Sequence, residues 1–284
     1  MEVARRLGDV EIVTVDSMQV YRGMNIGTAK PTEQDQRDVA HHLIDLADPS
    51  EDWSVTRWAD LARRTLAGIE ERGRRALVVG GTGLYFQALV DGLAPPAQYP
   101  AVREALEAEP DTAALHTRLS ELDPLAATRM EPTNRRRVIR ALEVTIGSGR
   151  SFSSYGPGID HFSPNPRWRL AGVWLPRATL AGRIDRRLDS MIEAGFLDEV
   201  RGLAGRPEGL SRTSRQALGY RELLAHLDGA TSLDEAVAEA KRRTRAFARR
   251  QRVWWRRDPR VAWFGTTENP LAVTAGLLGQ WRDP

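Results

Sequence analysis

Apolar positions along this chain switch between two periods, and the switching predicts parallel strands alternating with helices. Glu11-Ile12-Val13-Thr14-Val15, Arg75-Ala76-Leu77-Val78-Val79 and Arg169-Leu170-Ala171-Gly172-Val173-Trp174-Leu175 read as buried strands. His41-His42-Leu43-Ile44-Asp45 enters a shorter one, before a turn at Asp48-Pro49-Ser50-Glu51. Ser54 to Arg72 places Val55, Trp58, Leu61, Ala62, Leu66 and Ile69 on one helical face, and Gly73 stops it. Met1 to Leu7 reads as the tail of an amphipathic helix, and Thr32-Glu33-Gln34-Asp35 as a helix start. Further helices are predicted over Ala101–Leu122, from Asp123, over Arg135–Val144, over Leu180–Leu203, and over Leu233–Arg257 as one long helix or a pair. Gly92, Pro95, Pro96 and Pro100 mark a boundary, and Gly147–Pro166 reads as a mobile loop or domain junction.

Composition narrows this picture. At 284 residues, with 41% hydrophobic and 28% charged positions, the chain suits one large domain or a core with an insertion. No run approaches the ~20 apolar residues of a bilayer span, and Met1–Arg6 lacks an apolar export core. The absence of cysteine excludes disulfides and cysteine-built zinc sites, and fits the cytoplasm. Net charge is only +3, yet Lys241–Arg260 carries ten basic residues against one acid, Asp258. Such density marks either a polyanion-binding surface or a solvated helix face, and composition does not separate the two. Phe247, Trp254 and Trp255 could likewise stack on RNA bases or pack inward.

The chemistry gathers after the first strand. Asp16 stands at its carboxyl end, where open α/β sheets place ligands, and Ser17, Gln19, Tyr21, Arg22, Thr28 and Lys30 crowd the loop behind it. Gly80-Gly81-Thr82 follows a second strand, with glycines that allow close backbone approach and a hydroxyl beside them. Two strand ends opening on one crevice are expected. Adjacent His41 and His42 lack the i, i+4 spacing and acidic third ligand of a hydrolytic zinc site, so no metal ligand is assigned.

The run from Asp16 to Pro31 closely resembles the signature D-S-x-Q-x-Y-x-G-M-[DN]-I-G-T-A-K-P of the tRNA dimethylallyltransferases, also called tRNA isopentenyltransferases. Matching patterns follow at His41–Asp45, at Gly80-Gly81-Thr82 and at Asn134–Glu143 (N-x-x-R-[VI]-x-R-A-L-E). Others lie at Arg183–Phe196, at Gln216–Glu222 and around Arg249-Arg250-Gln251. The resemblance implies a P-loop-NTPase-like α/β core over residues 1–95 and 165–284, with a mostly helical insertion over 96–164. It implies transfer of a dimethylallyl group from its diphosphate to the exocyclic amine of the adenosine 3′ of the anticodon, releasing diphosphate. With it come a nucleotide-binding (ATP-binding) character, Mg2+ as the ion, a cytoplasmic monomer and the tRNA anticodon stem-loop as partner.

Asp16 and Thr82 are then the expected catalytic residues, Asp16 as the base that takes the amine proton. Ser17, Met18, Gln19, Tyr21, Thr28, Lys30, Gly80, Gly81, Arg215 and Gln216 are expected to bind substrate. Contact with tRNA is expected from Asp16, Ser17, Met18, Gln19 and Thr82, from Arg103, Arg136, Arg137, Val138, Ile139 and Arg140, and from Arg249, Arg250 and Gln251. One departure stands out: no G-x-x-x-x-G-K-[ST] phosphate-binding loop occurs, although Met1–Leu7 matches the helix that follows it in the family. The expectation is a natural protein that starts upstream and carries the loop. The alternatives are a truncated, non-catalytic tRNA-binding remnant, or a kinase of a nucleoside or small metabolite.

Overall fold

The computed structural model describes residues 1–156 and 158–282. Helix α1 (Glu2–Leu7) ends at Gly8, whose φ of 77° only glycine adopts freely, and turns the chain into β1 (Val10–Val15). Every residue of β1 is buried, as expected of a central parallel strand covered on both faces. Helix α2 (Glu33–Asp38) starts at a capping box in which Thr32 and Asp35 satisfy each other's amides. Strand β2 (His41–His42) pairs parallel with β1 at Ile12 and Val13. Helix α3 (Val55–Glu71), capped by Ser54, buries Trp58, Ala59, Ala62 and Ile69 as its periodicity predicts. Strand β3 (Arg75–Gly80) then pairs parallel with β1 from Val10↔Arg75 to Val15↔Gly80, giving the order β2-β1-β3, and α4 (Gly83–Val90) follows.

The chain forms two compact units, Met1–Asp91 with Phe162–Pro284, and Gly92–His161. The second spans 92–161, against the insertion expected over 96–164. It holds α5 (Pro100–Glu107), α6 (Thr112–Leu122), α7 (Pro124–Thr128) and α8 (Arg135–Ser148). The single helix expected over 101–122 is two, because Asp111 caps a new one by accepting hydrogen bonds from the Ala113 and Ala114 amides after Pro110. Leu106, Leu115, Leu119, Ala126, Val138, Ile139, Ala141 and Leu142 form this unit's core.

The chain returns to the first unit with β4 (Leu170–Trp174), α9 (Arg177–Glu193), α10 (Phe196–Ala204), α11 (Tyr220–Leu227), α12 (Leu233–Trp255), β5 (Val261–Gly265) and α13 (Thr274–Arg282). The helix expected over 180–203 is also divided, at Gly195, whose φ of 95° lies outside the helical region. Strand β5 and α13 are additions to the sequence-based expectation. Among the described residues β4 pairs only with β5 and β3 only with β1, so the parallel strands make two sheets. No described helix is long and apolar enough to cross a membrane.

One buried charge ties the first sheet to its helices. Glu11, 6% exposed on β1, accepts two hydrogen bonds from Arg72, at 2.7 and 3.2 Å, and stands 2.7 Å from His42 Nε2. These contacts, led by the Arg72 bond, hold its carboxyl at about 2, below the usual 4.5. A depressed carboxyl stabilises the fold above its unfolded value, and that stability is lost as pH falls from about 4.5 through about 2. The shift corresponds to at most about 3 kcal/mol. Glu11→Gln is therefore expected to flatten the acid limb of melting temperature against pH in that window, and an unchanged limb would remove Glu11 as its cause.

Candidate functional site

The site is built where β1 and β3 end side by side. Asp16 directly follows β1, and its Oδ1 accepts hydrogen bonds from the Met18 amide (2.7 Å) and the Gln19 amide (3.2 Å). That local turn holds the carboxylate at the strand end and leaves Oδ2 without a partner among the described residues. The Ser17 amide donates to Thr82 Oγ1 at 3.3 Å, and the Thr82 amide to the Val15 carbonyl at 3.3 Å. Asp16 and Thr82, 66 positions apart in number, thus stand close together at two neighbouring strand ends.

Glycine is required where β3 ends, at Gly80, and favoured next to it. A Cβ on Gly80 would lie 2.1 Å from the Val15 carbonyl oxygen, and one on Gly81 would lie 2.1 Å from Gln251 Nε2. The Gln251 amide donates to the Gly81 carbonyl at 3.1 Å, so α12 braces this turn from behind. Trp254 of α12 lies against Gly83, and Trp255 packs edge-on against Phe86 with ring centroids 4.9 Å apart. Both tryptophans therefore pack inward, whereas Phe247 stays exposed.

The rest of the loop after Asp16 is tied to itself. Gln19 Nε2 donates to the Thr28 and Ala29 carbonyls, and Thr28 Oγ1 to the Met24 carbonyl at 2.6 Å. Lys30 Nζ donates to the Tyr21 carbonyl (2.8 Å), Asn25 Oδ1 (2.8 Å) and Asp45 Oδ1 (2.6 Å), with its side chain 4% exposed. An ammonium has three donors and all three are used, so Lys30 is corrected from a substrate contact to an internal fastener. Tyr21, fully buried in the core, is corrected in the same way, and Met18 is partly buried against that core.

In the second unit, Val138 and Ile139 are core residues at 0% and 3% exposure, which removes them from the expected tRNA contacts. Arg140 donates to Glu143 and to the Pro96 and Ala97 carbonyls, and Arg103 to Glu107 and Glu143. Both serve the buried Glu143, which also accepts the Tyr99 amide. Arg136 and Arg137 remain exposed. On α12, Lys241 pairs with Asp189, Arg242 with Glu239, Arg243 with Glu222 and Glu239, and Arg245 with Asp185. Beyond them Arg249 and Arg250 point outward, the latter over the Phe247 ring, and Arg256 and Arg257 are exposed just past the helix. Arg215 and Gln216 are exposed on the 3-10 turn Ser214–Gln216.

Two carboxylates escaped the sequence reading. Glu143 organises the second unit, and Glu199 accepts the Asn25, Ile26 and Gly27 amides. Glu199 carries no local signal, because the loop it holds lies far away in the chain, and Glu143 has only Arg140 close by, its other partners Tyr99 and Arg103 lying at least 40 positions away.

Comparison with known proteins bears on this geometry. A family model described as IPP transferase matches residues 19–258. The chain is 43% identical to the tRNA dimethylallyltransferase of Geobacter metallireducens, covering 98% of this chain and 92% of that one. It is 46% identical to the tRNA dimethylallyltransferase of Streptomyces coelicolor, over 92% of this chain and 83% of that one. Among solved structures it is similar to the tRNA isopentenylpyrophosphate transferase of Bacillus halodurans, with a TM-score of 0.69, 39% identity, and coverage of 98% of this chain and 90% of that one. It is also similar to a eukaryotic dimethylallyltransferase solved while acting on tRNA, with a TM-score of 0.74, 25% identity, and coverage of 94% and 70%.

Proposed function

Because the chain belongs to the IPP transferase family, we propose that it transfers a dimethylallyl group from dimethylallyl diphosphate to tRNA, at N6 of the adenosine 3′ of the anticodon. The new bond joins N6 to the allylic C1 carbon as the bond from C1 to the diphosphate oxygen breaks, and diphosphate leaves with that electron pair. The N6 proton passes to Asp16. The amine lone pair is conjugated into the adenine ring, so a base that takes the proton as the bond forms lowers the barrier. The observation that carries this reading is the Asp16 carboxylate, held by two amides through Oδ1 with Oδ2 free, beside Thr82. Thr82 Oγ1, already an acceptor from Ser17, keeps its own proton to donate to the base or the diphosphate.

The adenosine must leave its stack, at roughly a few kcal/mol, and cationic contacts to the RNA backbone offset that cost. Arg249 and Arg250 are suited to it, being outward and free of carboxylate partners among the described residues. Changing either to Ala is expected to weaken anticodon-arm binding and to lower the slope of log affinity against log salt by about one. An unchanged slope would remove that arginine from the phosphate contacts.

No group of three or more His, Cys, Asp or Glu side chains among the described residues fits a protein-held ion. Mg2+ therefore enters this proposal only as a counter-ion carried by the diphosphate, with few protein ligands, and no step is routed through it. A monomer working in the cytoplasm, where tRNA is found, completes the proposal.

The test is to incubate the chain with dimethylallyl diphosphate and an anticodon stem-loop, then analyse the nucleosides by mass. Adenosine carrying one five-carbon unit is expected. Salt-sensitive RNA binding without transfer would leave a non-catalytic tRNA-binding protein, and ATP consumption without RNA, in the presence of a nucleoside or small-metabolite acceptor, would point to a kinase.

A further inference from the structure

We infer that Glu199 is a positioning residue for this reaction, fastening the loop from Asp16 to Lys30 to α10 and thereby setting the Asp16 carboxylate. The inference rests on the transferase reading above. Glu199 Oε2 accepts the Asn25 amide at 2.8 Å and the Ile26 amide at 2.7 Å. Its Oε1 accepts the Gly27 amide at 3.2 Å and the Tyr220 hydroxyl at 2.5 Å. Four donors on one carboxylate make a nest, in which successive backbone amides replace the water an anion would otherwise hold.

Packing fixes the loop in the same place. A Cβ on Gly27 would lie 2.2 Å from Phe196 and 2.5 Å from Tyr220, so the loop backbone sits directly on those two rings. The rings are buried and meet edge-on with centroids 4.9 Å apart. Ala29 holds a φ of 50°, a left-handed conformation that a non-glycine residue keeps only when its surroundings enforce it. From the nest the linkage reaches the reacting group in three short steps. Glu199 holds Asn25–Gly27; the adjoining Thr28 and Ala29 carbonyls hold Gln19 Nε2; and the Gln19 amide donates to Asp16 Oδ1. Glu199 itself touches neither Asp16 nor Thr82 by any hydrogen bond.

Glu199→Gln is the primary test, since an amide must turn its NH2 toward amide donors at one of the two oxygens. Single-turnover transfer at saturating dimethylallyl diphosphate is expected to slow by about 10- to 100-fold, with anticodon-arm Kd within about threefold. Hydrogen exchange at Asn25, Ile26 and Gly27 is expected to speed up about tenfold or more while β1 amides keep their protection. Glu199→Asp keeps the charge but shortens the reach by about 1.5 Å. It is expected to slow transfer comparably, and it stands as the test if the Gln variant does not fold. Transfer within about twofold of wild type in either folded variant would overturn the inference. So would unchanged exchange at the three loop amides. Should the wild-type chain transfer nothing, the transferase reading fails separately, and the exchange measurement alone decides whether Glu199 anchors the loop.

Discussion

Asp16→Asn is expected to cut transfer by about 10²- to 10⁴-fold, the usual worth of a positioned general base. The substitution is nearly isosteric, and the Asn carbonyl oxygen can still accept the Met18 and Gln19 amides that Oδ1 now accepts. The turn after β1 therefore survives, and melting temperature and anticodon-arm affinity are expected to match wild type. What disappears is the acceptor for the N6 proton, because an amide does not take up a proton at neutral pH. Single-turnover kinetics with enzyme in excess would read the chemical step apart from product release. Near-normal turnover would end the assignment of Asp16 as base and move the proton to solvent or to the diphosphate. Loss of affinity together with rate would show instead that Asp16 chiefly holds the RNA.

The α/β fold class and the adjacency of two strand ends were legible because both depend on local pattern. A short run rich in apolar residues followed at once by Asp16, and a second followed by Gly80-Gly81-Thr82, are enough to place two strand ends, and the structure pairs them in register. What the pattern left hidden depends on partners distant in sequence. Lys30 looks like a cation offered to a diphosphate until Asp45, Tyr21 and Asn25 are seen to enclose it. Arg140 shares the polar side of its helix with Arg136 and Arg137, but the buried Glu143 one turn on draws it inward with Arg103. Val138 and Ile139 sit within a motif expected to touch RNA, and motif membership says nothing about which face of the helix a position occupies. Glu199 is more than 170 positions from the loop it holds, and one carboxylate on an amphipathic helix carries no mark of its partner. Helix breaks at Asp111 and Gly195 were available in the residue types, yet apolar periodicity continued across both and masked them.

Lys30→Met gives the second large effect, and it separates two roles for one residue. A lysine serving the diphosphate would leave stability untouched when replaced and would raise KM for dimethylallyl diphosphate alone. The structure supports a different outcome. With its side chain 4% exposed and three acceptors between 2.6 and 2.8 Å, Lys30 has no donor to spare. Methionine fills a similar volume but leaves the Tyr21 carbonyl and the Asp45 carboxylate without their donor. Asp45 is 41% exposed at its side chain, so water recovers part of its share. The remaining cost is about 2–4 kcal/mol, from breaking a mostly buried, charge-assisted set of bonds by removing one member. For a chain of this size that lowers the melting temperature by about 4–10 °C. Transfer is expected to fall by about 10²-fold as well, because Lys30 closes the loop across Tyr21 and Asn25, and a shift of about 1 Å at the reacting carboxylate is enough for that loss. Melting curves and kinetics on one preparation decide between the roles. A destabilised variant with low kcat and nearly normal KM makes Lys30 a fastener, and a stable variant with only KM raised returns it to the diphosphate.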